Sequence, residues 1–511
     1  MTSAASITLK SAVTEASRQW SEQQQAIFTW FRNGRGSLVV RARAGTGKTT
    51  TILAAIDHAP EDKILLAAFN KRIADELKLK LKNPKAVAKT LHGVGYGLIL
   101  RNWQLPKSNA VDEDRGFNLA LQALGMDGTD GFQKKVANVV KRLSAMGKNV
   151  CPFATVDQLV AIANDYDVLP DDMEDLEERG FGVLVLAKAA SAAMELAAKP
   201  NTKGAASIDF DDMIFVPLRN NWVRGVYGLV VIDEAQDMNY SQLLLAQRSC
   251  KRGGRVVVVG DDRQAIYGFR GADSGSLDRL KTELQAQEMG LTITYRCPRK
   301  VVAAAAVLVP DYRAAPTAPE GVIRTLTEDR MVADLQPLDF VLSRKNAPLV
   351  KHCLATLRAG KRARIEGRDI GRGIIALVEK MNARDLVSLE KKLADWEAKQ
   401  VRRLEARMGA EKAASKVAEV ADTRATITSL ADGLTTVNEL EQRINQLFSD
   451  AGTNQVVFSS VHKAKGLEAP RVFTIEESFN NRNQEEANIR YVALTRAQQE
   501  LVYVTPKVVM A

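Results

Sequence analysis

The stretch Ala42-Arg43-Ala44-Gly45-Thr46-Gly47-Lys48-Thr49 constrains the fold of this chain more than any other. It follows the apolar run Leu38-Val39-Val40 and precedes Thr50-Thr51-Ile52-Leu53-Ala54-Ala55, which begins a helix well. Strand, glycine-bearing loop and helix in that order make a cradle for the phosphates of a nucleoside triphosphate. Gly45 and Gly47 let the backbone N–H groups around Thr46 turn toward phosphate oxygens, and the helix N-terminus adds partial positive charge beside Thr50. Lys48 has the reach for the outer phosphates, and the Thr49 hydroxyl suits Mg²⁺. One departure is visible: Ala42 stands where the strict pattern has its first glycine.

At 511 residues the chain is too long for one core, and two to four domains are expected. No apolar run approaches the roughly 20 residues that cross a bilayer, so no membrane partner is expected. Residues 1–19 lack the apolar core of a secretory signal and read as a flexible arm. Cys151, Cys250, Cys297 and Cys353 are far apart with no paired spacing, which argues against zinc or disulfide frameworks and for reduced thiols in the cytoplasm or nucleoid. A net charge of +10 favours a polyanionic partner.

Strand-like and helical signals alternate from about 20 to 96, with strand runs at Leu38–Val40, Ile64–Phe69 and Ala86–Leu91. From 97 to 205 the pattern is helical, with Phe132, Val136, Val139, Val140 and Leu143 on one face. Strands return at Leu229–Ile232 and Val256–Val259, continuous apolar runs suited to central strands buried on both faces. A second strand set is expected to begin with Leu291–Thr294 and continue through Gly321–Leu326, Phe340–Leu342 and Ala363–Ile365. A short helical insertion over 378–450 interrupts it, with the stripe Leu386, Leu389, Leu393 and Trp396 and a second stripe from Leu430 to Leu447. Strands resume at Val456–Phe458 and Val472–Ile475 and end with Leu501–Val504. The reading is two α/β domains, 20–96 with 206–290 and 291–377 with 451–511, each carrying a helical insertion.

Further chemistry sits at strand ends, where ligand sites of parallel sheets gather. Asp233 follows the run Val230-Val231-Ile232 and is placed to hold Mg²⁺, and Glu234 to polarise an attacking water. A charged loop after a core strand is the plainer alternative, and the upstream phosphate cradle weighs against it. Gln264 follows Val256–Val259 and can sense the terminal phosphate. Tyr267 and Phe269 flank it, either as rings that stack on bases or as core residues.

With these residues in order the chain closely resembles the UvrD/Rep-like superfamily-one DNA helicases, from about residue 20 to the C-terminus. The shared motifs are Ser21 to Ile27, the phosphate cradle, Phe69-Asn70-Lys71-Arg72, Thr90-Leu91-His92-Gly93 and Asp233-Glu234-Ala235-Gln236. Gly260 to Ala272, Thr294 to Pro298, Ser460 to Glu468 and Tyr491 to Ala497 complete the set. The resemblance implies two RecA-like domains, ATP and Mg²⁺ as cofactors, and single-stranded and tailed duplex DNA as partners. It implies that Gln24 reads adenine, with Gln23 as an alternative register, and that Tyr295 stacks on the base. Arg296 and Arg496 would reach the γ-phosphate across the cleft, in agreement with the need for cations as charge develops on the transferred group. The Gly466–Glu468 segment would meet the ribose. Phe69, Asn70, Thr90, His92, Tyr267, Phe269, Arg270 and His462 would line the path of single-stranded DNA. Asp209-Phe210-Asp211-Asp212-Met213 resembles a further family segment, with a structural or coupling role.

Departures from the family pattern are Phe269 in a slot often held by tryptophan, Leu91 for an aromatic, and Ser460 where threonine is common. The second insertion is much shorter than in the best-known members, which bears on duplex contacts. The chain ends soon after the last motif, so no fused nuclease domain is expected. The resemblance implies an ATP-driven motor moving 3′→5′ on single strands and unwinding duplex, in DNA repair, replication or recombination. A translocase that strips bound proteins without unwinding is the alternative, and a non-catalytic nucleic-acid scaffold is disfavoured by the intact Lys48, Asp233, Glu234, Gln264, Arg296 and Arg496.

Overall fold

The structure, a computed structural model, describes residues 19–105, 111–166, 168–170, 173–200, 207–266, 275–448, 454–480 and 483–506. Tyr267, Phe269, Arg270 and nearly all of the expected N-terminal arm lie outside the described residues.

Six strands form the first sheet: β1 (Leu38–Ala42), β2 (Ile64–Ala68), β3 (Ala86–Thr90), β4 (Tyr227–Ile232), β5 (Cys250–Gly260) and β6 (Gln287–Leu291). They lie in the order β3-β2-β4-β5-β1-β6, with every pairing parallel. The continuous apolar runs of β4 and β5 occupy the centre, where Val231 and Val257 are fully buried and directly paired. Two short strands, β7 (Ile293–Thr294) and β8 (Arg313–Ala314), pair only with each other. The second sheet contains β9 (Val322–Thr327), β10 (Phe340–Ser343), β11 (Ala363–Ile365), β12 (Val456–Ser460), β13 (Ala469–Ile475) and β14 (Ala497–Thr505). Its order is β11-β12-β10-β13-β14-β9, again parallel throughout.

The expected strand Leu291–Thr294 at the start of the second sheet does not form as one element. Leu291 ends β6 and pairs with Ala42 at the edge of the first sheet, while Ile293 and Thr294 belong to the small β7–β8 pair. The β6 sequence Gln-Glu-Met-Gly-Leu is solvated along most of its length. An edge strand has one neighbour and needs no continuous apolar run, so only its last residue registers as a strand in the sequence.

Helices Arg115–Leu124, Gly131–Val150, Val156–Asp165, Met173–Glu178 and Val183–Ala197 lie within the first insertion. They bury Val136, Val139, Val140 and Leu143 of the predicted stripe, with Phe132 half-buried, against Leu159, Leu186 and Ala190 in a core completed by Met213, Phe215 and Val216 of the helix Asp212–Arg219. Helices Leu386–Met408, Ala410–Ala431 and Val437–Leu447 follow β11 and the helix Arg368–Met381. Thr436 and Glu439, at the three-residue spacing of a helix start, make a capping box. Leu389, Leu393, Leu430, Leu440 and Ile444 share one core with Phe458 and Phe473 of the second sheet. The shorter insertion therefore borrows its hydrophobic support from the sheet beneath it.

Candidate functional site

The phosphate cradle forms at the C-terminal end of β1. Gly45 and Gly47 take φ of +69° and +78°, a region that costs a side-chain-bearing residue, and Gly47 caps the helix Lys48–Ile56. Ala42, by contrast, is the last residue of β1, fully buried and paired with Leu291 of β6, so nothing there requires glycine. Thr46 is buried with its hydroxyl donating to the Arg43 carbonyl at 2.8 Å, while Thr49 and Thr50 are half-buried on the first helical turn.

Strand β4 delivers the opposing acids. Lys48 Nζ lies 2.9 Å from Glu234 Oε2, and Glu234 holds φ of +52°, a conformation that costs about 1–3 kcal/mol for a non-glycine residue and clusters at functional sites. Asp233 is buried next to it and accepts the Glu234 N–H at 3.0 Å. Burial, then the adjacent Glu234 charge, pushes the Asp233 carboxyl up to about 7. Burial acts the same way on Glu234, but Lys48 and Lys465 outweigh it and hold that carboxyl below its ordinary value. The Asp233 carboxylate and the Thr49 hydroxyl are hard oxygen donors of the kind that suits Mg²⁺.

A hydrogen-bonded chain then crosses to the second sheet domain. Gln236 donates to Glu234 at 2.6 Å and accepts the Asp261 N–H at 3.1 Å, and Gln264 donates to Asp261 at 2.7 Å. The Gln264 side-chain oxygen faces Arg496 at 3.5 Å. Arg496 is 1% exposed, anchored through Nε to the Val492 carbonyl. Burial and the neighbouring charge of Arg296 push its guanidinium down to about 10. Arg296 is held by Glu468 at 2.5 Å, and a Cβ added to Gly45 would lie 2.6 Å from the Arg296 Cβ. Arg296 thus comes from the second half of the chain to the lip of the phosphate cradle, and Arg496 reaches Gln264 close enough to Arg296 that the two cations favour an anionic ligand.

Several contacts fixing this arrangement link residues hundreds of positions apart, and their individual sequences gave no sign of them. The Ala44 peptide is gripped from both sides: its N–H donates to the Tyr491 oxygen at 3.0 Å, and its carbonyl accepts from the Tyr312 hydroxyl at 3.0 Å. Arg43 is buried among Asp261, Asp262 and Asp311. Lys465 Nζ bonds Asp237 and the Gln264 carbonyl, both at 2.6 Å.

The two glutamines of the adenine register are placed differently. Gln24 is buried, closes a capping box with Ser21 and donates to Thr51 at 2.9 Å. Gln23 instead reaches Thr292, pairing with its hydroxyl and its N–H at 2.9 Å each. Tyr295, three residues further on, is 51% exposed and its N–H donates to the Gly45 carbonyl at 2.9 Å. Gly466 holds φ of +84° two residues before Glu468, which accepts from Gln498 as well as Arg296.

Phe69, Asn70, Thr90 and His92 gather at the adjacent C-terminal ends of β2 and β3, where Ala68 pairs with Thr90. Asn70 and Thr90 cap the helices Lys71–Lys80 and Leu91–Trp103 with their side chains. His462 lies on the short helix Val461–Ala464 that follows β12. The residue missed in the sequence is Phe210: it is 60% exposed and stacks on His92, with ring centroids 3.9 Å apart and planes at 24°. Burial pushes His92 down to about 4, so the ring is neutral near pH 7 and presents a π-face rather than a charge. Around Phe210, Asp209 and Asp212 hold the buried Lys148 at 3.1 and 2.8 Å, and Asp212 also holds Arg115 at 2.8 Å. The acids of this segment tie the first insertion to the base of the Phe210–His92 stack. The sequence offered the segment Asp209–Met213 as a structural or coupling element, without pointing to an exposed ring within it.

Two sheets of this kind, with a phosphate cradle on one and arginines from the other, define an NTP-binding protein of two parallel α/β domains. The chain belongs to the UvrD/REP helicase family: the family's N-terminal domain matches residues 20–285 and the UvrD-like helicase C-terminal domain matches 344–507. It is 26% identical over 266 residues to F-box DNA helicase protein 1 of Schizosaccharomyces pombe, covering 50% of this chain and 28% of that protein. It is 24% identical over 307 residues to ATP-dependent DNA helicase PcrA of Staphylococcus epidermidis, covering 56% of this chain and 39% of the relative. A probable DNA helicase II homolog of Rickettsia felis is 26% identical over 308 residues, with 56% and 44% covered. The matched stretch spans less than half the length of each of these relatives. No helix among the described residues is long and apolar enough to cross a membrane.

Proposed function

We propose that the chain is an ATP-driven motor that moves 3′→5′ along single-stranded DNA and separates duplex. The observation that carries this reading is Arg296 packed beside Gly45 of the cradle that holds Lys48, with Arg496 reaching Gln264 from the same half of the chain. A site split between two domains converts the presence of a γ-phosphate into domain closure, which is the requirement for coupling hydrolysis to movement. The DNA substrate rests on family membership and on relatives named as DNA helicases, and the polarity on the resemblance of the motifs to this branch of helicases.

Lys48 is held by Glu234 in the structure, so an entering triphosphate competes for the ammonium group. Transfer of Lys48 to the phosphates frees Glu234 to accept a hydrogen bond from the attacking water. Losing Lys48 removes the strongest influence that holds the Glu234 carboxyl down, so it becomes a better proton acceptor than while paired, with Lys465 still beside it. Mg²⁺, held through Thr49 and Asp233, would neutralise phosphate charge. Arg296 and Arg496 supply cations from the other lip, and Gln264 connects Arg496 to Asp261 so that the phosphate end is sensed in both domains. Tyr295 would stack on the base, with Gln24, or Gln23 in the alternative register, reading its edge. The Phe210–His92 stack and Phe69 provide a sequence-tolerant platform for bases.

Tyr491→Phe tests the tyrosine grip on the cradle. It leaves the Ala44 N–H unpaired in a buried setting, which costs about 1–3 kcal/mol. The expected result is a several-fold rise in KM for ATP with a lowered melting temperature, read by steady-state hydrolysis and thermal denaturation. An unchanged KM would remove the hydroxyl from the account.

Stripping of bound proteins without unwinding is the second reading, and the short insertion fused into the core of the second sheet favours it. Hydrolysis, translocation and strand displacement measured in parallel separate the two. The motor reading predicts phosphate release that rises at least about tenfold with single-stranded DNA, and phosphate release indifferent to DNA rejects it. Translocation without strand displacement selects stripping.

A further inference from the structure

A cavity of about 1270 Å³ lies between the two insertions, away from the ATP cleft. Helices Gly131–Val150 and Val156–Asp165 form one wall, and helices Arg368–Met381, Leu386–Met408 and Ala410–Ala431 the other. It is larger than the roughly 300–1,000 Å³ of ordinary small-ligand pockets. The walls are joined across it, since Arg403 donates to the Leu169 carbonyl at 2.8 Å.

Lysines and arginines on its lining outnumber carboxylates by more than two to one. Arg142 projects from the first insertion, and Lys380, Lys399 and Lys416 line the facing wall. Two rings share the lining. Tyr166 ends the helix Val156–Asp165, and Trp396 closes the stripe begun by Leu386, Leu389 and Leu393. Leu389 and Leu393 are buried in the core, whereas Trp396 is half-buried and lines the cavity. Cations that follow a phosphate backbone, interleaved with rings that take base faces, are the chemistry of single-strand recognition. Paired bases in a duplex have no free faces to offer such rings.

We infer that this cavity is a second nucleic-acid site, which holds unpaired nucleotides outside the path across the two sheet domains. It gives the short insertion a role of its own, holding a strand that the motor path does not occupy. Binding there depends on Trp396, Lys380 and Lys399 and is independent of ATP.

The test uses the full chain without nucleotide and labelled oligothymidylates of about 10 and about 40 nucleotides, the shorter filling a single site and the longer able to reach both. Lys380→Glu/Lys399→Glu changes exposed side chains and is expected to weaken the long strand about tenfold and lower its salt slope by about 1.4, the value for two lost phosphate contacts. Short-strand affinity and short-strand-stimulated ATP turnover should stay within about twofold of wild type. Trp396→Phe preserves packing and should remove the tryptophan quenching that the long strand produces. Wild-type affinity, slope and quenching in both variants would overturn the inference and leave the cavity to another anion, such as an acidic peptide. Equal weakening of short and long strands would also overturn it, because it would mark a diffuse charge effect. Failure of the motor reading would appear separately, as wild-type ATP turnover that no strand stimulates.

Discussion

Replacing Lys48 with alanine is expected to abolish DNA-stimulated ATP hydrolysis, with a loss of at least about 10²-fold, the scale seen when one preorganised charge at a transition state is removed. The ammonium is the cradle's own cation and bonds Glu234 at 2.9 Å. Its loss leaves Asp233 and Glu234 side by side with Lys465 as the remaining nearby cation. Single-strand binding without ATP should persist, because Phe69 and His92 directly follow β2 and β3 rather than β1, and Phe210 stacks on His92. Circular dichroism of the variant should match wild type. Turnover equal to wild type would remove the cradle from the mechanism.

Lys148→Met is expected to have the largest effect on stability. Lys148 is 3% exposed and bonds both Asp209 and Asp212, and although burial alone would lower its pKa, the two carboxylates hold it above the ordinary lysine value. Removing one partner of a buried ion pair costs about 3–5 kcal/mol, because the remaining charges lose their compensation. The sign of the pH dependence follows. Burial, and next Asp212, already raises the Asp209 carboxyl above its ordinary value, and losing Lys148 raises it further. A carboxyl raised in the folded state destabilises it when ionised, and acidification relieves that cost. The deficit of Lys148→Met relative to wild type should therefore be largest near pH 7 and shrink toward pH 5, as read by denaturant melts. Single-strand affinity should fall with it, since the same acids flank Phe210. A deficit under about 1 kcal/mol, constant with pH, would contradict the network.

Elements whose stability comes from local pattern were readable in the sequence. The buried strands β4 and β5 carry unbroken valine and leucine runs, the Gly131–Val150 helix shows its stripe at helical spacing, and Thr436 with Glu439 announces a helix start. Glycine at 45 and 47 is dictated by backbone conformation alone. The solvated edge strand β6 carries no such pattern, which is why its first four residues went unread. Contacts set by tertiary approach were also hidden. Nothing in Tyr491 or Tyr312 points to a peptide at Ala44, and the stack of Phe210 on His92 needs the first insertion folded between them. Gln23 and Gln24 are adjacent and chemically identical, and only the helix phase sends one to Thr292 and the other to Thr51. Trp396 sits in phase with a core stripe, yet the stripe leaves the core one turn before it.

The split cleft is an engine only if closing it moves nucleic acid, and strand displacement on tailed duplexes tests this most directly. Matched duplexes with a 3′ or a 5′ single-stranded tail are mixed with the chain and ATP, and release of a fluorescent strand is followed, with Arg496→Ala alongside. The account predicts ATP-dependent release from the 3′-tailed duplex, little from the 5′-tailed one, and none with Arg496→Ala. Release that proceeds without ATP, or that survives loss of Arg496, would contradict it.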